Sequence, residues 1–362
     1  MKRLGREYDK LETLNLFSVL PAEQRLPIHD PQRKMSFLAQ IDSGIERALN
    51  SESTLHGIRV QTMFQLMVAN LGKVLLIKHE DAGECYYGSD QPIRVPDFRV
   101  VLDDGSAILI ETKNQYTSNA TAPFRIRNDD LDALIRYSTL LKTPVKIAIY
   151  WARWNTWTLS DPKSLEQGKR YSEIKLGLAI RGSEMATLGD IMIATNHPLL
   201  LRYQVAMDKP RLVTPDGKIL VQISEFQISS AHQPITDKTE RNIALYLMMY
   251  GKWEASAPTV EVDLEGRPMA ILYRSEPEPE QRNPGQGFEI IGTLSSMFSA
   301  FYNSLTLKES RVADLFHHDD PAKLLPIIRL DYKGTDLALW RFVLEPNFED
   351  EAAKVTGENI ES

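Results

Sequence analysis

Apolar residues recur at two different periods along this chain, and each change of period marks an element. Helical spacing puts Phe37, Ile41, Ile45 and Leu49 on one side of a helix over 36–50. The same spacing puts Val60, Met63, Phe64, Met67 and Leu71 on one side of a helix over 54–71, which Gly72 closes. Short apolar runs then predict strands over 73–78, 98–102 and 107–112, and Asp103-Asp104-Gly105 turns the last two into a hairpin. Leu131, Leu134, Ile135, Ser138 and Leu141 line a helix over 128–141. Asp129, Asp130 and Asp132 stand near its start, where the helix dipole favours acid. Thr143-Pro144 stops it, and strands follow over 145–150 and 156–159. Helix, strand, hairpin, helix, strand is an αβββαβ order, and the expected class is α/β.

Farther along, the pattern predicts strands over 176–181, 199–203 and 219–227, with a helix over 185–194. A helix over 239–250, a hairpin over 259–273, an exposed linker over 274–287 and an amphipathic helix over 288–305 then suggest a second, α+β module. The expected organisation is an N-terminal arm and helix over 1–50, a core with its extension over 51–235, the C-terminal module over 236–345 and an acidic tail over 346–362.

Composition narrows the function classes. The 362 residues carry a net charge of −7, which argues against a uniformly basic nucleic-acid coat. The balance is local: from Gln91 to Arg170, twelve Lys and Arg stand against nine Asp and Glu. The single cysteine, Cys85, excludes internal disulfides and a Cys-based zinc centre and fits a reducing compartment. No apolar run reaches the ~18 residues of a membrane span, and no apolar segment follows Met1-Lys2-Arg3 as in a signal peptide. A cytoplasmic protein is expected.

The hairpin carries the candidate chemistry. A three-residue loop with Gly105 in the left-handed position sets Leu102 opposite Ser106. Asp97 then lies across from Glu111, with Cβ atoms about 4.5–5.5 Å apart. Lys113, two residues on, shares the face of Glu111. Two carboxylates on adjacent strands can hold Mg²⁺, a hard ion bound by oxygen, and an amine beside them can orient a water or meet developing negative charge. The later Thr214-Pro215-Asp216-Gly217…Glu225-Phe226-Gln227 has similar carboxylates but Gln227 where an amine is needed.

Pro96-Asp97 followed by Glu111-Thr112-Lys113 resembles the PD-(D/E)XK nuclease superfamily, which includes restriction endonucleases and archaeal-type Holliday junction resolvases. The resemblance covers residues 55–160. It implies a restriction endonuclease-like core and hydrolysis of nucleic-acid phosphodiesters, DNA in the first place, with Mg²⁺ or Mn²⁺. It further implies that Asp97, Glu111 and the carbonyl of Thr112 hold the metal while Lys113 assists the attacking water. Members of the superfamily often carry an acid on the preceding helix; this chain offers Gln61 and Gln65 there, and Gln61 is the candidate site residue. The polar stretch after Lys113 is read as a loop closing over a phosphate backbone, with Asn114, Arg125 and Arg127 as nucleic-acid contacts. A non-cleaving nucleic-acid-binding or assembly subunit that keeps the fold is the alternative. Assembly as a homodimer or with a partner protein stays open.

Overall fold

Gly105 adopts φ +83°, the left-handed conformation that a residue without Cβ enters freely. The reversal it permits sets the register of the central sheet in this computed structural model. Leu102 N–H donates to Ser106 O over 2.8 Å, and Gly105 N–H donates to Leu102 O over 3.0 Å. Phe98 then pairs with Ile110 and Arg99 with Leu109, as the three-residue loop predicts. The structure describes residues 1, 13–19, 26–81, 85–88, 90–315, 328, 332 and 334–347. Residues 2–12 and 20–25 of the expected arm and the tail beyond 347 lie outside them.

In chain order the first elements are α1 (Thr13–Val19), α2 (Pro31–Leu49), α3 (Glu52–Leu71), β1 (Val74–His79), β2 (Phe98–Leu102), β3 (Ala107–Gln115), β4 (Phe124–Arg127), α4 (Asn128–Leu141), β5 (Val145–Trp151) and β6 (Thr156–Ser160). The Ser51 side chain caps α3 by accepting from Thr54 N–H, and Gly72 ends it at φ 99°. The central sheet runs β1-β2-β3-β5-β6, with β3 and β5 parallel and the other neighbours antiparallel. The parallel pair needs a crossover, and α4 supplies it. Side chains alternate across β3: Ile108 and Ile110 join a core with Val60, Met63 and Phe64 of α3, while Leu109 packs with Tyr137 of α4. This is a mixed α/β protein.

The rest of the chain is tied to this sheet. The helices α5 (Leu176–Arg181), α6 (Lys238–Tyr250) and α7 (Leu294–Thr306) alternate with short strands. Phe298 and Tyr302 of α7 enter the same core as Phe64. Arg59 of α3, buried, donates to Asn303 Oδ1 (2.7 Å) and Thr306 Oγ1 (3.2 Å) of α7. Strands on either side of residue 235 are hydrogen-bonded: Leu199–Val205 pairs with Pro268–Ser275, and Met192–Asn196 with Phe288–Thr293. No helix among the described residues is long and apolar enough to cross a membrane.

Four elements differ from the sequence pattern. Leu176–Arg181 is helix α5, not a strand; a six-residue apolar run fits either state and its neighbours decide. The helix over 185–194 is only a 3₁₀ turn, Met185–Leu188, followed by the strand Met192–Asn196. Gly189 breaks it at φ +100°, so close to α3 that a Cβ there would lie 2.4 Å from Leu71 O. The helix over 288–305 begins only at Leu294: Thr293 and Ser296 form a capping box, and Phe288–Thr293 is a strand. The loop after Lys113 contains β4, paired with the strand Tyr171–Ile174.

Asp190 holds the start of α7. Its Oδ1 accepts from Ser295 N–H (2.9 Å) and its Oδ2 from Ser295 Oγ. Burial pushes its pKa up to about 6, against the opposing effect of the Ser295 hydrogen bonds. Below the ordinary value of 3.8 both folded and unfolded chains hold the proton, and the stabilisation is fully present. As pH rises through about 6 the folded chain must ionise a buried group, and that stabilisation is lost. Urea unfolding should therefore show wild type losing up to about 3 kcal/mol relative to Asp190→Asn between pH 4 and pH 7. A difference that does not move with pH would refute this.

Candidate active site

Where β2 begins and β3 runs on past it, the paired strands bring Asp97 beside Glu111. Strand pairing alone does not place the Asp97 carboxylate; its hydrogen bonds do. Oδ2 accepts from the Thr112 N–H (2.6 Å) and from Thr112 Oγ1, while Oδ1 accepts from Gln61 Nε2 of α3 (2.8 Å). These bonds fix the side chain with one oxygen against the β3 backbone and the other against the helix. The N–H and C=O of a strand residue point to the same strand edge, so the Thr112 carbonyl opens toward Asp97 as well.

Glu111 is the most enclosed acid of the group, with 1% of its surface exposed. Its Oε1 accepts from Lys113 Nζ and lies 3.2 Å from Arg94 Nη2. Burial raises its pKa first and the nearby Asp97 charge raises it further; Lys113 and Arg94 pull the other way. An acid made costly to ionise by burial and by a second acid is stabilised by any added cation.

Arg94 escaped the sequence pattern. It lies in the irregular segment before β2, where no period marks which side chains turn inward. Its Nη1 also reaches Asp130 Oδ1 of α4 (3.2 Å), and its backbone N–H donates to Ala133 O (3.2 Å). Glu80 escaped too. Its N–H donates to Asp97 O (2.9 Å), and its carboxylate accepts from Arg99 Nη2 (2.5 Å) and Tyr137 Oη (2.8 Å). Burial, then that bond to Glu80, pushes the Tyr137 hydroxyl up to about 12. The signal for Glu80 was present in the β1–β2 pairing, which sets His79 opposite Phe98 and so Glu80 beside Asp97.

The other expected residues are spread out. Gln65 turns to His79, with Oε1 3.1 Å from Nε2. Asn114 sits in β3 on the face opposite Lys113, and its buried Oδ1 has no hydrogen-bond partner. Arg125 points outward from β4 and donates to Glu173 Oε2 (2.7 Å); Arg127 is exposed at the start of α4. No contact joins either arginine to Asp97, Glu111 or Lys113. Trp151 and Trp157 are buried core, while Trp154 is exposed.

The donor set can be tested against a metal. Among the described residues no three acids, histidines or cysteines gather into a cage. Mg²⁺ does not need one, since it is commonly held by one or two carboxylates, with waters and substrate phosphate filling the rest. Asp97, Glu111 and the Thr112 carbonyl offer oxygen ligands only, and the Asp97 charge disfavours that of Glu111. This set fits a hard divalent cation.

No protein-family model and no curated protein matches the chain. Among solved structures, Hjc, a Holliday junction resolvase from Archaeoglobus fulgidus, aligns over 37% of this chain and 99% of that chain, at 16% identity and a TM-score of 0.29. That likeness is too slight to fix the fold.

Proposed function

We propose that the chain is a metal-dependent nuclease with a restriction endonuclease-like core, hydrolysing phosphodiester bonds of DNA. The observation that carries this reading is the convergence of Asp97, buried Glu111 and Lys113 at one end of the β2–β3 pair, on oxygen ligands suited to Mg²⁺ or Mn²⁺. Asp97, Glu111 and the Thr112 carbonyl would hold the ion. When bound, it supplies neutralisation of phosphate charge and a more acidic water. Thr112 and Gln61 hold the Asp97 carboxylate in one orientation, so little reorganisation is needed when charge develops. Lys113 Nζ, partly exposed beside Glu111, steadies the attacking water and the growing negative charge on the phosphate. The water gives up one proton as a new P–O bond forms to its oxygen, the P–O bond to the leaving alcohol breaks, and the leaving oxygen takes up one proton, so the proton count balances.

The experiment is incubation of labelled single-stranded, duplex and branched DNA with the protein and Mg²⁺, Mn²⁺ or EDTA. Cutting of at least one form with either metal and none with EDTA is the expected result. Binding without cutting under every condition would favour a non-cleaving nucleic-acid-binding subunit.

A further inference from the structure

We propose that Arg94 is a phosphate-binding residue of this site, poised to leave Glu111 for the backbone of the bound nucleic acid. The inference rests on the nuclease reading above. In this structure two cationic side chains, Lys113 and Arg94, meet the same carboxylate oxygen, Glu111 Oε1. Lys113 already satisfies that oxygen by a hydrogen bond. Arg94 is held more loosely: its side chain is 44% exposed, and its second contact, Asp130, is 42% exposed. The exposed Arg94–Asp130 pair contributes little to stability and is cheaply exchanged for another anion, while buried Glu111 would keep Lys113 as its cation when Arg94 turns away.

The backbone near Arg94 is fixed, whereas its guanidinium is partly exposed and bridges Glu111 and Asp130. Arg94 N–H donates to Ala133 O, and Arg136 Nε donates to Pro92 O (2.8 Å), so the segment is fastened to α4 at two points. The guanidinium has five donors in a planar fork that matches phosphate oxygens, and the contacts to Glu111 and Asp130 leave several of them unused. Charge balance points the same way. The formal charges of Asp97, Glu111, Lys113 and Arg94 cancel. With a divalent cation held there the centre is doubly positive, which a phosphodiester and the hydroxide attacking it would neutralise. Without Arg94, one of those two negative charges is unmatched.

The test needs no turnover. Binding of a fluorescein-labelled DNA duplex with a single-stranded overhang is followed by anisotropy in EDTA, at several salt concentrations, for wild type, Arg94→Ala, Arg94→Gln and Arg94→Lys. Loss of one phosphate contact should weaken binding about threefold to tenfold at low salt and reduce the slope of log Kd against log salt by about 1. Arg94→Lys should restore the slope, because the charge is kept. A brace between the segment and α4 would lower the melting temperature and leave the slope alone. Wild-type slope and affinity in Arg94→Ala and Arg94→Gln, with wild type still cutting DNA once Mg²⁺ is added, would overturn this inference by itself. A wild-type protein that neither binds nor cuts the DNA would overturn the nuclease reading and this inference with it.

Discussion

Asp97→Ala and Lys113→Ala should each lower metal-dependent DNA cleavage by at least about a hundredfold, the scale of losing one preorganised group that meets charge in a transition state. The two losses have different causes. Asp97 is a proposed ligand whose oxygens are already bonded to Thr112 and Gln61, so its removal also frees the β3 backbone at Thr112. Raising the Mg²⁺ or Mn²⁺ concentration should recover part of the activity of a variant weakened in metal binding, such as Glu111→Gln. It should recover none for Lys113→Ala, whose defect lies with the water and the phosphate. Initial rates on labelled DNA across a metal titration separate the two, with circular dichroism checking that each variant is folded. Wild-type rates in Asp97→Ala and Lys113→Ala would move the chemistry to another part of the chain.

Phe298→Ala should cost about 3–5 kcal/mol of folding stability, the range for emptying an aromatic site in a packed core. Phe298 is 2% exposed and lies in the cluster that holds Phe64 of α3 and Trp157 of β6. It also stacks on Tyr302 at 6.4 Å. The hydrogen bonds around it cannot shift to fill the space, because Trp157 Nε1 donates to Ser299 Oγ and Arg59 to Asn303 on the same helix face. Urea unfolding, monitored by fluorescence with the m-value compared to wild type, gives the number. A loss below about 1 kcal/mol would mean that α7 contributes little to the core shared with α3.

The candidate site divides between what was legible in the chain and what was not. Turn chemistry at Asp103-Asp104-Gly105 is local, and it alone sets Phe98 against Ile110 and therefore Asp97 beside Glu111. Alternation along β3 then puts Lys113 on the face of Glu111. The helical periods of α3 and α4 are equally local, and the observed Asn128–Leu141 matches the expected bounds. Gln61 was legible only by its place on α3, and its bond to Asp97 Oδ1 brings it to the site.

Short or irregular segments were decided by their neighbours. Leu176–Arg181 and Phe288–Thr293 carry too few residues for their period to separate helix from strand, and each took the state that its packing and pairing partners offered. Arg94 and Glu80 have no period at all: one is placed by α4, the other by pairing of β1 with β2. By itself the sequence determined the hairpin, its register and the meeting of two acids and a lysine, because backbone sterics and side-chain alternation act over a few residues. Only the tertiary structure decided how deeply Glu111 is buried, which way Asp97 turns and that a second cation reaches the site, because each depends on groups brought together from distant parts of the chain.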